Sequence, residues 1–530
     1  MKQTISNIFS PVLVHEYLTL SAERFPEKTA LIFKSDRYSY RQLDKLSDIL
    51  AIQLIKLGVN RHDRVIIFGN NSPEIILSLY AVLKTGATFV LLNGALKAQK
   101  LRYIISDSLP KVLISDYLLK EVVDNALENM AHEPSVIFFG FNEESESDSF
   151  LSYKSLLENK PDLNEFESLE KRKTSILDYD LATLIYTSGS TGEPKGVMSS
   201  HFNMLSAAKS IITYLKNTSE DIIIDVLPLS FDYGLYQVIM AFMYSGTIVL
   251  ENSMLFPVEI LKKIQEEKVT GFPIVPTILA MLLKMETLSN FDLSSLRYIS
   301  NTGAALPVEH IKSFRKLFPN IQVYSMFGLT ECKRIAYLPP EDTDRKPGSV
   351  GKAMPNCEVF ILDENGNEVA PNVIGELVVR GSNVMRGYWN SEELTSRTYR
   401  KGWYQQEKWL YTGDYFYKDE DGYLYFVGRK DDMIKTKGER VSPKEIENVL
   451  CTMEGISEAA VIGVPDEILG QAIKAFIVLK PGYTLDQNDI LRFCKNNVEI
   501  FMIPKYVEFI DSLPKTPNGK IDKKKLKEFE

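Results

Sequence analysis

Apolar positions in the first third of the chain fall into two rhythms. Val12 to Arg24 and Tyr40 to Leu57 carry them at helical spacing, and Gly58 ends the second run. T-A-L-I-F (29–33), R-V-I-I-F-G-N (64–70), Thr88 to Leu92 and Val112 to Ser115 are short continuous apolar runs, as expected of strands buried on both faces. S-P-E-I-I-L-S-L-Y-A-V-L (72–83) reads as a helix with Pro73 near its start, where a missing N–H is harmless. Strand, helix and strand in alternation predict a doubly wound, largely parallel sheet. Between 142 and 175 the rhythm stops. The runs E-E-S-E-S-D-S and E-S-L-E-K-R-K are charged and irregular, which predicts an exposed connection.

Past this connection, Leu181 to Tyr186 is an apolar strand that turns abruptly into Thr187, Ser188, Gly189, Ser190, Thr191 and Gly192. Pro194 and Gly196 flank Lys195. Small residues leave backbone N–H groups open to a ligand, hydroxyls rotate to donate, and the lysine adds charge. Such an arch suits a polyphosphate. It is not a Walker A loop, since no Gly-Lys pair in the chain is followed by Ser or Thr.

Four later apolar runs lead into turns. V-L-P-L-S-F-D (226–232) ends on Asp232, a carboxylate in an apolar neighbourhood that either caps the next helix or meets a cation. G-F-P-I-V-P-T (271–277), R-Y-I-S-N-T-G-A-A-L-P (297–307) and V-Y-S-M-F-G-L-T-E-C (323–332) leave the core at the strand ends where open parallel sheets hold ligands. Glu331 either holds Mg²⁺, a hard cation that takes oxygen ligands, or opens a helix. From 350 to 388 the pattern becomes antiparallel: P-N-C-E-V-F-I-L-D-E-N-G-N-E-V reads as a hairpin and G-E-L-V-V-R-G as a strand. Asp414, after Gly413, offers two acceptor oxygens suited to a vicinal diol. Beyond Val441 a small α/β unit begins with a helix whose N-cap is Ser442, with Pro443 at N1 and Glu445 at N3.

Composition acts mainly by exclusion. A chain of 530 residues is too long for one core. Its 61 basic and 70 acidic residues give a net charge of −9, which speaks against nucleic acid as a partner. Cys332, Cys357, Cys451 and Cys494 are widely separated, and the five histidines have no metal-ligand spacing. The longest apolar stretch, Val238 to Leu250, is interrupted at Tyr244-Ser245-Gly246 and is too short to span a bilayer. The expectation is a cytoplasmic protein with no stable membrane insertion.

These motifs, in this order over nearly the whole chain, resemble the adenylate-forming superfamily of acyl-CoA synthetases, peptide-synthetase adenylation domains and firefly luciferase. The resemblance implies an α/β fold. A large N-terminal AMP-binding domain (1–430) would hold two doubly wound sheets and a small β-barrel, and a small mobile α+β C-terminal domain (431–530) would follow. It implies that Thr187, Ser188, Gly189, Ser190, Thr191, Gly192 and Lys195 handle the ATP phosphates. Gly303, Ala304 and Ala305 would lie against adenine, with Phe327 and Gly328 lining the nucleotide pocket. Thr330 would touch AMP, Glu331 would bind Mg²⁺, Asp414 would hold the ribose and Arg429 would sit near ribose and phosphate. Asp431 matches the family hinge, and Gly438, Glu439 and Arg440 match the segment that lines the thiol tunnel. Lys520, in P-N-G-K-I-D, matches the catalytic lysine; read alone it would be a surface charge.

By the same resemblance the substrate pocket comprises Asp232, Tyr233, Tyr236, Pro273, Thr302, Met326, Arg334 and Ile335. Asp232 matches the aspartate that meets a substrate ammonium in peptide-synthetase domains, so an amino acid is one candidate substrate. The implied reaction adenylates a small carboxylic acid with ATP and Mg²⁺. The acyl group then passes to a thiol, that of CoA or of a carrier protein's phosphopantetheine. Two other readings stay open: a luciferase-like oxidase of an acyl-adenylate, and a non-catalytic nucleotide-binding homologue. Glu331, Asp414, Arg429 and Lys520 together speak against the second.

Overall fold

A computed structural model describes residues 11–141, 150–188, 194–430, 432–436, 439–466, 469–516 and 521–528. The strand–helix alternation appears as two sheets. One has seven strands, in the order Leu151–Ser152, Ser135–Phe139, Val112–Asp116, Arg64–Gly69, Thr88–Asn93, Leu181–Ser188 and Pro194–Ser200. All neighbours are parallel except the last pair. The other has nine strands. Its parallel interior runs Gln322–Phe327, Tyr298–Asn301, Gly271–Ile274, Ile222–Asp225, Thr247–Leu250 and Thr29–Phe33, and its edges are antiparallel. Helices cover the sheets, and their apolar faces share one core: Leu50, Leu79, Ile239 and Ile264 are all buried in it. Ser72 caps the helix Pro73–Thr85, whose C-cap is Gly86 at φ 77°.

Two expectations are corrected here. Residues 150–175 are not an irregular connection: they hold the helices Tyr153–Glu158 and Leu163–Lys173. Leu163, Phe166 and Leu169 recur at three-residue spacing, Leu169 is buried, and Asp162 and Glu165 form a capping box. Some charges sit outward, while Arg172 donates to the Thr85 and Val59 carbonyls and Lys173 pairs with Asp48. The apolar run before Asp232 is also not one strand. The strand ends at Asp225, and Asp232 is the first residue of the helix Asp232–Met243. Phe231 occupies the N-cap position and no side chain caps the helix.

The antiparallel region forms a five-stranded sheet where the resemblance implied a small barrel. Its long strand, Lys408–Lys418, pairs with Gly375–Gly381 along one edge. On the other edge it pairs first with Tyr399–Lys401 and then with Leu424–Arg429, so the described ladders leave the sheet open. From Ile434 onward the buried apolar residues pack among themselves: Ile434, Ile446, Leu450, Val461, Ile477 and Ile490 form one core. Ser442 accepts from Glu445 N–H at the start of the helix Pro443–Thr452. Its hydroxyl donates to the Val427 carbonyl in the preceding sheet.

Candidate active site

The Thr/Ser/Gly stretch sits at the tip of a hairpin. Thr187 pairs with Lys195 and Ser188 with Pro194 across it. The tip residues Gly189, Ser190, Thr191 and Gly192 lie outside the described residues. The segment Met385–Trp389 is laced onto this hairpin. Met198 N–H donates to Gly387 O (2.9 Å), Arg386 N–H to Met198 O (3.0 Å) and Trp389 N–H to Gly196 O (2.7 Å). Lys195 Nζ stands 5.9 Å from the Tyr388 ring.

The same segment holds the Thr330–Glu331 turn. Met385 N–H donates to Glu331 O (2.9 Å), and Tyr388 OH donates to Glu331 Oε1 (2.7 Å). Burial and the Glu331 carboxylate push the Tyr388 phenol far above its ordinary value, so it remains a donor. Asn383 closes the turn from below, donating to the carbonyls of Cys332 (3.0 Å) and Arg334 (2.8 Å). Gly328 is required at its head, because a Cβ there would collide with the Lys333 carbonyl.

Around this turn lie the other nucleotide candidates. Asp414 is buried, and Arg429 Nε donates to its Oδ1 at 2.8 Å. Burial works against the Arg429 charge, but Asp414 and then Glu331 outweigh it and hold the guanidinium above its ordinary value. Phe327 packs edge-on against Phe416 at 4.9 Å. Gly303 adopts φ 87°, which turns the chain so that Ala304 and Ala305 are exposed. A cavity of about 310 Å³ opens beside Ala305, walled by Asn301, Ser325, Met326 and Ser349. Asn301 donates to Ala304 O (2.9 Å), while its own Oδ1 has no partner among the described residues.

The predicted substrate-pocket residues gather at the start of the helix Asp232–Met243 and the carboxyl ends of the neighbouring strands. Tyr233 OH donates to Ser300 O (2.7 Å). Tyr236 is buried, with no partner for its hydroxyl. Thr302 and Met326 are buried beside them. Pro273 lies in a central strand, where its missing N–H is tolerable because only Gly271 of that strand pairs with the strand Ile222–Asp225. Ile335 points elsewhere, into the core shared with Val197 and Leu377.

Asp232 meets neither a helix cap nor Arg334. Its partner is Lys333, with Nζ 3.7 Å from Oδ2. Lys333 is buried, its backbone sits at φ 63°, and its ammonium lies 4.9 Å over the Tyr236 ring. Burial pulls its pKa down to about 8, against the raising field of Asp232. Arg334 is buried as well, 5.2 Å over the Tyr233 ring, with its Nε unpartnered. Sequence reading placed Arg334 here and missed Lys333, because a lysine in T-E-C-K-R reads as a solvated charge. Its inward turn follows from backbone packing around Gly328, which leaves no mark in the local hydropathy.

Among the described residues no group of three or more His, Cys, Asp and Glu could hold a metal ion by itself. Mg²⁺ does not need one, since it keeps waters and phosphate oxygens as ligands. Glu331, with Tyr388 on Oε1 and Oε2 left over, fits a single carboxylate ligand. Asp431, Gly438 and Lys520, and the side chains of Ser188, Glu439 and Arg440, lie outside the described residues. No helix among the described residues is long and apolar enough to cross a membrane.

Comparison with known proteins agrees with this geometry. The AMP-binding enzyme family matches residues 18–389, and the AMP-binding enzyme C-terminal domain matches residues 445–520. An indoleacetate–CoA ligase of Aromatoleum aromaticum is 33% identical over 516 residues, covering 97% of each chain. A long-chain-fatty-acid–CoA ligase of Bacillus subtilis is 32% identical, covering 97% of this chain and 94% of its own. The crystal structure of an anthranilate CoA ligase in complex with anthranoyl-AMP superposes with a TM-score of 0.87 at 27% identity, covering 98% of both chains.

Proposed function

Since this chain belongs to the AMP-binding enzyme family, we propose that it activates a carboxylic acid with ATP and hands the acyl group to a thiol. The protein is an AMP-forming acid–thiol ligase. The observation that carries this reading is one cluster where the turn after the parallel strand Gln322–Phe327 meets the antiparallel sheet. Glu331, fixed by Tyr388, acts on Arg429, which pairs with Asp414, and a cavity opens at Ala305 along the strand Gln322–Phe327 that leads to Glu331.

In the first half-reaction an oxygen of the acid attacks the α-phosphorus of ATP. The bond to pyrophosphate breaks, leaving acyl-AMP. Positioning and charge stabilisation supply the rate, with little covalent work for side chains. The exposed Ala304 and Ala305 leave room for a flat ring, and Asn301 Oδ1 is free to accept from an exocyclic amine. Asp414 takes the ribose hydroxyls, while Arg429 holds its carboxylate in place. Thr330 contacts the AMP phosphate. Lys195 and the hairpin tip hold the outgoing phosphates, and Glu331 would hold Mg²⁺, which when bound neutralises phosphate charge. Lys520 bridges the acid and the α-phosphate.

In the second half-reaction a thiolate attacks the acyl carbon and AMP leaves. CoA is the acceptor favoured by the ligases to which this chain is similar, and a carrier-protein phosphopantetheine offers the same thiol. The C-terminal unit turns about Asp431 between the steps and withdraws Lys520. Its separate core from Ile434 onward supports such a movement. The oxidase and non-catalytic readings have no comparable support.

The test is stoichiometry. ATP, a panel of acids and CoA should yield AMP, pyrophosphate and thioester in equal amounts. Formation of ADP and phosphate would contradict the reading.

A further inference from the structure

The pocket's cations are incompletely paired. Asp232 pairs with one buried cation, Lys333, and the next residue, Arg334, is a second buried cation. The contact of Asp232 with Lys333, at 3.7 Å, is longer than a hydrogen bond, and the Lys333 ammonium has no hydrogen-bond partner among the described residues. Arg334 makes no ion pair among the described residues, and its Nε is unpartnered. The other nearby carboxylate, Glu331, is held by Tyr388 and lies within the fields of both Arg429 and Lys333, and it makes no ion pair with Arg334 among the described residues. A buried guanidinium without an anion is costly to keep, and removing it from water is offset only by a partner. Yet the site is built to hold these cations. Arg334 rests on the Tyr233 ring, whose hydroxyl is anchored on Ser300, and Lys333 rests on the Tyr236 ring. Asn383 fixes the backbone of Arg334.

Resting on the ligase reading, we propose that the acid activated here carries a second carboxylate, which seats against Arg334 and Lys333. The planar guanidinium suits a bidentate carboxylate, and the ammonium supplies a point charge beside it. The unpartnered Tyr236 hydroxyl provides a further donor. A substrate ammonium fits this site poorly. It would have to displace Lys333 from Asp232 and then lie beside two cations. The substrate class is therefore a dicarboxylic acid, of which one carboxylate is adenylated and the other is bound.

Pyrophosphate release tests this with straight-chain and aromatic dicarboxylic acids, the same acids as half-methyl esters, and α-amino acids. The expected result is a diacid that exceeds its half-ester by about 10²-fold in kcat/KM, because a site made for a charged group rejects the analogue that lacks it. Arg334→Met should erase that preference without changing the KM for ATP, and Arg334→Lys should retain part of it. The diacid alone should raise the Tm of wild type and not that of Arg334→Met. Should Arg334→Met fold poorly, the Arg334→Lys variant and the wild-type comparison of diacid with half-ester still decide. Release with half-esters, monocarboxylates or amino acids as fast as with any diacid would overturn the proposal and leave the ligase standing. No release with any acid would overturn both.

Discussion

The nucleotide side and the acyl side of this site are built on opposite principles. Around Glu331 and Asp414 the charged groups already have partners: Tyr388 on Glu331 at 2.7 Å and Arg429 on Asp414 at 2.8 Å. A few ångströms of chain further on, Lys333 and Arg334 are buried with donors to spare. The first arrangement presents a common ligand with a rigid, pre-satisfied frame. The second leaves unmet demand, which on our proposal a second carboxylate of the acid meets. The difference teaches where selectivity resides: in the groups that the protein itself leaves unsatisfied.

The comparison can be broken or sharpened by substitution. The largest effect is expected at Lys520. Lys520→Ala should slow adenylation by about 10²–10³-fold, the usual loss for one transition-state donor. Thioester formation from supplied acyl-AMP should be nearly unchanged, and equal losses in both half-reactions would show that one domain arrangement serves both. Asp414→Ala comes next. It removes the ribose acceptor and leaves Arg429 unpaired, so the KM for ATP should rise by roughly 10–100-fold, as for a lost hydrogen bond to a charged group. That rise should be the same for every acid; an acid-dependent rise would blur the two sides into one.

Tyr388→Phe is the finer probe. It removes a single donor from Glu331 and should lower kcat/KM for ATP by about 10-fold, with the order of preferred acids unchanged. A reordering of acids would mean that Tyr388 reaches the acyl pocket. The smallest effect on single steps is expected at the hinge. Asp431→Pro fixes φ and should leave pyrophosphate exchange in place while thioester output falls. Unchanged single-turnover rates for both steps would remove Asp431 from that role.

The sequence revealed these regions unequally, for physical reasons. The parallel sheets were legible because strands buried on both faces are continuous apolar runs, as in R-V-I-I-F-G. The family was legible because the proposed nucleotide side carries particular small residues and carboxylates at fixed places, which backbone approach and phosphate binding would demand. Asp232 was not, since its role depends on which residue faces it across a turn. Lys333 was hidden because hydropathy treats lysine as solvated, whereas here it is buried, at φ 63°. Residues 150–175 misled for a related reason: the charges of an amphipathic helix outnumber the few apolar positions, Phe166 and Leu169 among them, that seat it. Tyr388 shows its part only through its contact with Glu331.

The claim on which everything else rests is that an acyl-adenylate forms. Mass spectrometry of the protein with ATP, Mg²⁺ and a substrate acid, without any thiol, tests it most directly. The account predicts a product with the mass of the acid plus AMP less one water, appearing with pyrophosphate and consumed when CoA is added. An acyl phosphate accompanied by ADP, or release of AMP and pyrophosphate at the same rate whether or not the acid is present, would contradict it.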